Sequence, residues 1–338
     1  MNTVSRQRRQ LLGLASALAG APWLMNSNAH AQGSASGALV LYTSQPERDA
    51  RETISAFNKV HPNVKVDVFR SGTTEVMNRL RTEFTAGAPR ADVLLIADAI
   101  SMEALKADGR LMRMRHLDTV QTPGRYFDNE RTYMGTKMIS TGIVVNTRSP
   151  FRPASWLDLL NPALKGQIVM PSPLYSGAAA ITVGAWVRHP DLGWKFIEGL
   201  KGQNAIAVRG NGAVLQQVAT GEKLAGVLVD FMAFNAKAKG SPVDFIVPRE
   251  GLTFVSEPTA ILNTARNVPA AEAFVAFLIS PEGQRFSTTL GYYPLLKGVS
   301  PPAGYPKVED LRFLPLDTAG MLKSAEDERK RFATVFGG

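Results

Sequence analysis

VKVDVFRSGTTEVMNRL, residues 64–80, decides the fold. Its first half alternates apolar and polar residues as a half-buried strand does. Its second half puts Val76 and Leu80 on one helical face, which Phe84 extends. The join, Arg70-Ser71-Gly72-Thr73-Thr74-Glu75, carries a glycine and three hydroxyls, so a strand runs straight into a helix start. On the N-terminal side, Ala38–Ser44 (ALVLYTS) reads as a buried strand. Pro46 then opens a helix in which Ala50, Ile54 and Phe57 recur at helical spacing. On the C-terminal side, ADVLLIA at 91–97 is a third strand, and a short helix with Met102 and Leu105 follows until Gly109 stops it. Strand–helix alternation of this kind predicts a parallel sheet with right-handed crossovers.

Between about Arg110 and Lys137 the pattern breaks into a polar, irregular stretch carrying Tyr126 and Tyr133. A second α/β set follows, with strands near 142–146, 167–170 and 224–229 and helices near 177–188, 191–200 and 213–220. Val243–Val247 and Phe254–Leu262 are strand-like again, and Pro269 and Pro281 each sit at the first position of a helix. Two lobes of similar size are expected, lobe 1 from 38–140 plus 257–300 and lobe 2 from 141–256. Residues 301–338 would pack on either lobe. Ligands favour the cleft between such lobes and the carboxyl ends of parallel strands.

Residues 1–31 hold Arg6, Arg8 and Arg9 with no acidic residue, then an apolar stretch from Leu11 to Leu24, then Ala29-His30-Ala31. This order is that of a cleaved secretory signal, with cleavage after Ala31. Arg8-Arg9 fits a twin-arginine signal and equally an ordinary Sec leader. No later segment approaches the apolar length of a membrane span, so a periplasmic chain not embedded in the membrane is expected. The 338 residues include no cysteine, which excludes disulfides, thiolate metal sites, thiol nucleophiles and an N-terminal lipid anchor. The formal charge of +9 draws three of its positive charges from the leader, leaving 35 basic against 29 acidic residues after it. So modest and dispersed an excess argues against nucleic acid and suits a collector of anions.

Ligand chemistry concentrates at three strand-to-helix junctions. Ser71, Gly72, Thr73 and Thr74 could cradle a phosphate, phosphonate or carboxylate on a helix N-terminus, or simply cap that helix. Ser44 and Gln45 follow the first strand, and Ser176 and Gly177 precede the small-residue run Ala178-Ala179-Ala180. Asp98 and Asp230 each follow an apolar strand and are candidates either to cap a helix or to meet a cationic part of the ligand, with Glu257 as a further carboxylate. Of the mature histidines, His61 and His189 sit at helix ends, and His116 is the third. No HExxH, GxSxG or GxxxxGK[ST] motif occurs, so neither a catalytic residue nor a metal ligand is assigned and no cofactor is expected.

Several segments together resemble periplasmic ABC-transporter solute-binding proteins. They are LVLYTSQ at 39–45, AFNKVHPNVKVDVFRSGTTEVMNRL at 56–80, ADVLLIADA at 91–99, GIVVNTRSPFRPASWLDLLNPALKGQIVMPSP at 142–173 and SPEGQRFSTTLGYYPLL at 280–296. The likeness is to the ferric-iron-binding type and its relatives for phosphonates and sugar phosphates. It implies two α/β lobes, each a mixed sheet flanked by helices, joined by crossing strands and closing on one ligand. It also implies a monomer that delivers its solute to an inner-membrane ABC permease. Ferric-binding members hold iron through an adjacent tyrosine pair after a strand of the second lobe. The matching stretch here, Val229-Asp230-Phe231-Met232-Ala233-Phe234-Asn235, has phenylalanines, which cannot ligate a hard cation. Tyr292-Tyr293 falls in the family's late Gly-Tyr-x-Pro turn, outside the metal site. The favoured ligand is therefore a small anionic organic solute, such as 2-aminoethylphosphonate or a sugar phosphate. Phe231 or Phe234 would pack on its carbon skeleton, and ferric iron or an exported enzyme on the same scaffold are the alternatives.

Overall fold

A computed structural model describes residues 35–114, 117 and 123–337. The expected leader, its cleavage site and His116 lie outside the described residues. The chain runs β1 (Gly37–Thr43), α1 (Glu47–Val60), β2 (Val64–Arg70), α2 (Thr73–Thr85), β3 (Val93–Leu95), α3 (Ala99–Ala107) and β4 (Tyr133–Gly135). It continues through β5 (Ile139–Asn146), β6 (Ile168–Pro171), α4 (Gly177–Arg188), α5 (Gly193–Gly202), β7 (Ile206–Val208), α6 (Asn211–Thr220), β8 (Ala225–Val229) and α7 (Asp230–Ala238). Then come β9 (Val243–Ile246), β10 (Thr253–Val255), β11 (Pro258–Ile261), α8 (Val268–Ile279), α9 (Pro281–Thr289) and α10 (Thr318–Phe336).

Two mixed sheets result. The first has the order β2-β1-β3-β11-β4, with β1 parallel to β2 and β3 and β11 antiparallel to its neighbours. The second has the order β10-β5-β8-β6-β7, with β9 also on β5. Successive residues of β1 face opposite sides. Leu39 and Leu41 meet Phe57, Val93, Leu95 and Phe274, while Tyr42 meets Val76, Leu80 and Leu94. In the second sheet Ile143 joins Trp156, Trp186 and Phe196 on one face, and Val144 joins Val169, Val214 and Leu228 on the other. Each such fully buried side chain contributes about 1.5–3 kcal/mol.

The strand-like stretch Phe254–Leu262 holds two strands belonging to different sheets, β10 in the second and β11 in the first. Glu257, at φ 38°, breaks the ladder, and Pro258 cannot donate into it. The stretch expected to be irregular before Lys137 contains β4. Chain crossings at 136–138 and 256–257 therefore join the two sheets, held together where Thr136 N and Lys137 N donate to Ser256 O at 3.0 and 3.2 Å. The C-terminal α10 packs against α3 beside the first sheet and against α4 and α5 beside the second, so it touches both lobes.

Candidate functional site

The parallel strands of both sheets end at one cavity of about 390 Å³. Ser44 after β1, Arg70 ending β2, Ala97 after β3, Tyr175 after β6, Arg209 after β7 and Phe231 after β8 all reach it. The first residues of α1, α2, α4, α6 and α7 line its wall, so five helix N-termini point toward one space. Among the described residues neither α2, which starts after Gly72, nor α6, which starts after Gly210, has a side-chain cap. Apart from Thr74 N, which donates to Tyr175 O, their leading N–H groups and positive dipole ends face toward an anion. Arg70 and Arg209 add full positive charge, and the side-chain Oδ1 of Asn211 is buried without a partner among the described residues.

The lobes meet at the mouth of this cavity. Arg209 Nη2 donates to Glu75 Oε1 at 2.7 Å, and its guanidinium lies 4.8 Å from the Tyr175 ring centroid. Thr74 N donates to Tyr175 O at 3.4 Å. Two glycines permit this approach: a Cβ on Gly72 would stand 2.5 Å from the Tyr175 ring, and one on Gly177 would stand 2.6 Å from Ala97 O.

Of the residues singled out in the sequence, Ser44, Gly72, Thr73, Ser176, Gly177 and Phe231 line the cavity. Ser44 is fixed by accepting a hydrogen bond from Ala97 N at 3.0 Å, and Ser176 caps α4. Gln45 is buried behind that wall, its carbonyl accepting from Arg70 Nε at 2.6 Å and its side-chain amide unpartnered among the described residues. The other candidates are engaged elsewhere. Ser71 gives its hydroxyl to Glu75, and Thr74 faces a neighbouring groove. Asp98 is not in the cavity: it caps α3 through Ile100 N at 2.9 Å and also holds Ser101. Asp230 is fully buried, accepting from Ser140 N, Ser140 Oγ and Phe231 N at 3.1, 2.6 and 2.7 Å, and burial pushes its carboxyl up to about 7.

Of the carboxylates singled out in the sequence, Glu257 does line the cavity and pairs with Lys137, and Glu47 at the start of α1 lines it too. Tyr292 was expected away from the site, yet it lines the cavity. Its hydroxyl donates to Asp49 Oδ2 at 2.6 Å and its ring lies 4.3 Å from that of Phe231. Burial raises the Tyr292 phenol well above its ordinary value, and the Glu257 and Asp49 carboxylates raise it further. Its neighbour Tyr293 instead donates to Pro306 O at 3.0 Å. Arg209, Gly210 and Asn211 escape the sequence because β7 is three residues long and incompletely buried, too little for an apolar run to announce the junction. Among the described residues no group of three or more His, Cys, Asp or Glu could hold a metal ion.

An uncharacterized protein of Haemophilus influenzae is 26% identical over 301 residues, which are 83% of this chain and 82% of that protein. The periplasmic binding protein AfuA from Actinobacillus pleuropneumoniae, solved with fructose-6-phosphate, superposes with a TM-score of 0.79 at 22% identity, covering 88% of this chain and 97% of AfuA. Iron-bound HitA from Pseudomonas aeruginosa gives 0.76 at 20% identity, covering 87% and 99%. These likenesses establish the two-lobe binding-protein fold. The sequence profile of bacterial extracellular solute-binding proteins matches residues 88–324, and the chain belongs to that family.

Proposed function

We propose that this protein is the periplasmic capture subunit of an ABC importer. In this reading it takes a small anionic organic solute, a phosphonate such as 2-aminoethylphosphonate or a sugar phosphate, and delivers it to an inner-membrane permease as a freely diffusing monomer. The observation that carries the reading is the convergence of five helix N-termini, Arg70 and Arg209 on one cavity between two lobes. Such a wall offers backbone donors and charge to a phosphoryl group, while Phe231 and Met232 offer apolar surface to a carbon skeleton. Glu257 stands where a hydroxyl or ammonium at the far end of the solute would find an acceptor. Binding energy shifts an open–closed equilibrium, so no catalytic group is required.

AfuA, solved with fructose-6-phosphate, favours the phosphoryl reading, whereas HitA, solved with iron, makes ferric ion the rival. The cavity chemistry favours the former. Phe231 presents carbon, and the phenol of Tyr292 is committed to Asp49 and held in its neutral form. Isothermal titration of the mature protein with 2-aminoethylphosphonate, fructose 6-phosphate and ferric citrate tests this. We expect saturable binding of an organophosphorus solute that Arg209→Ala weakens about 10- to 100-fold, as loss of a hydrogen bond to a charged group does. Tight binding of ferric ion alone would overturn the reading.

A further inference from the structure

Glu257 occupies the one position where cavity and hinge coincide. Its side chain lines the cavity floor, while its backbone is one of the two residues of the second crossing between the sheets. It is 1% exposed, and its φ of 38° lies in the left-handed region, where a residue with a Cβ is strained. Nothing in a simple extended crossing demands that conformation, and Pro258 after it favours extended backbone instead. Such strain persists only where the surrounding structure holds it.

The other crossing is fixed. Gln284 Nε2, from α9 beside the first sheet, donates to Thr136 O at 2.5 Å, and Gln284 Oε1 accepts from Leu295 N at 2.8 Å. Met138 N donates to Tyr293 O at 2.9 Å. Lys137 stands between these anchors, its side chain 3% exposed, and makes an ion pair with Glu257 across the two crossings. Its Nζ lies 4.9 Å from the centroid of the Tyr292 ring, which in turn lines the cavity and holds Asp49 of α1. Thr136 Oγ1 donates to Glu257 O at 2.8 Å, tying the strained residue to the anchored strand. One crossing is thus pinned and the second is tied to it through Ser256 O and Glu257 O, with residue 257 held at positive φ.

We propose that the Lys137–Glu257 pair is the closure switch of this receptor: it holds residue 257 in its left-handed conformation when the lobes are together, and opening lets that residue return to extended backbone. Occupancy of the cavity then acts on the hinge directly, because whatever engages the Glu257 carboxylate also reinforces the strained conformation beneath it. Glu257 and Lys137 are positioning residues in this scheme, with closure as the event they control. The inference does not depend on which solute is bound.

The chain has no cysteine, so a spin-label pair at Val60→Cys on α1 and Lys201→Cys on α5, both exposed, reports the lobe separation without interference. Ligand-free protein suffices, which separates this test from the proposed ligand class. Lys137→Met alone breaks the pair and should lower the closed population below that of the native protein. In that background we compare Glu257→Gly, Glu257→Asn and Glu257→Gln. Glycine adopts the left-handed region freely, asparagine tolerates it and glutamine does not. The ratio of closed to open populations should fall in that order, with Gly above Gln by about fivefold or more. Identical distance distributions across the series would overturn the proposal. Should Lys137→Met prevent folding, the same series with Lys137 retained gives the same ordering, and its absence there counts equally against the switch.

Discussion

Asp98 and Asp230 look alike in the sequence, each a carboxylate between an apolar strand and a helix, and each open to a cap or a ligand contact. Both side chains are spent inside the fold: Asp98 caps α3, one of the two roles open to it, while Asp230 is held by Ser140 and by Phe231 N. No local pattern reveals the partner of Asp230, because Ser140 lies 90 positions away. What does reach the cavity, Glu257, sits before a proline within a stretch that reads as strand. The burial of Asp230 has a measurable consequence. Its folded-state pKa of about 7 exceeds the ordinary value near 4, so the folded protein binds a proton that the unfolded chain has released between those limits. Stability contributed by the neutral form is present below about pH 4 and is lost as pH rises toward 7, at up to about 1.4 kcal/mol per pH unit. Urea unfolding at pH 5, 6, 7 and 8 should therefore show a decline in the native protein that Asp230→Asn removes. An unchanged slope in the variant would assign the titration to other groups.

At the scale of elements, the strand–helix junctions are legible because polarity changes sharply there, and GTTE at 72–75 and SGAAA at 176–180 both open helices that line the cavity. The reason for their small residues is not legible. Gly177 reads as a helix start, yet its function is contact between lobes: a side chain there meets Ala97 O at 2.6 Å and Asp98 Cβ at 2.8 Å, both from the other lobe. Backbone on one side cannot yield as a flexible side chain would. Gly177→Ala should keep the fold, since alanine is favoured over glycine in a helix by up to about 1 kcal/mol. It should nevertheless prop the lobes apart and weaken solute binding at least about tenfold. Thermal melting and titration of the same preparation check both halves. Equal affinity with equal stability would mean that the lobes close without this contact.

For the whole molecule, two sheets with separate cores would be free to unfold one at a time, and three features oppose that. The chain crosses between the sheets at 136–138 and again at 256–257, α10 leans on α3 of one lobe and on α4 and α5 of the other, and the cavity wall is drawn from both. Arg188 of α4 anchors α10, donating to Glu328 Oε1 at 2.7 Å and Ser324 Oγ at 2.6 Å, and Phe332 of α10 is fully buried against the second lobe's core. A solute held between the lobes binds only when both are folded. At a free concentration a hundred times its Kd it adds about 2.7 kcal/mol to the folded state. About 300 ordered residues carry an unfolding entropy near 0.6 kcal/mol/K, so the melting temperature should rise by roughly 4 °C. Calorimetry with whichever organophosphorus solute titrates should show that rise in a single transition, or in both transitions if the empty protein has two. A solute that raised only one of two transitions would be held by one lobe alone, and the wall shared between β1, β2, β3 and β6, β7, β8 would then not be the binding site.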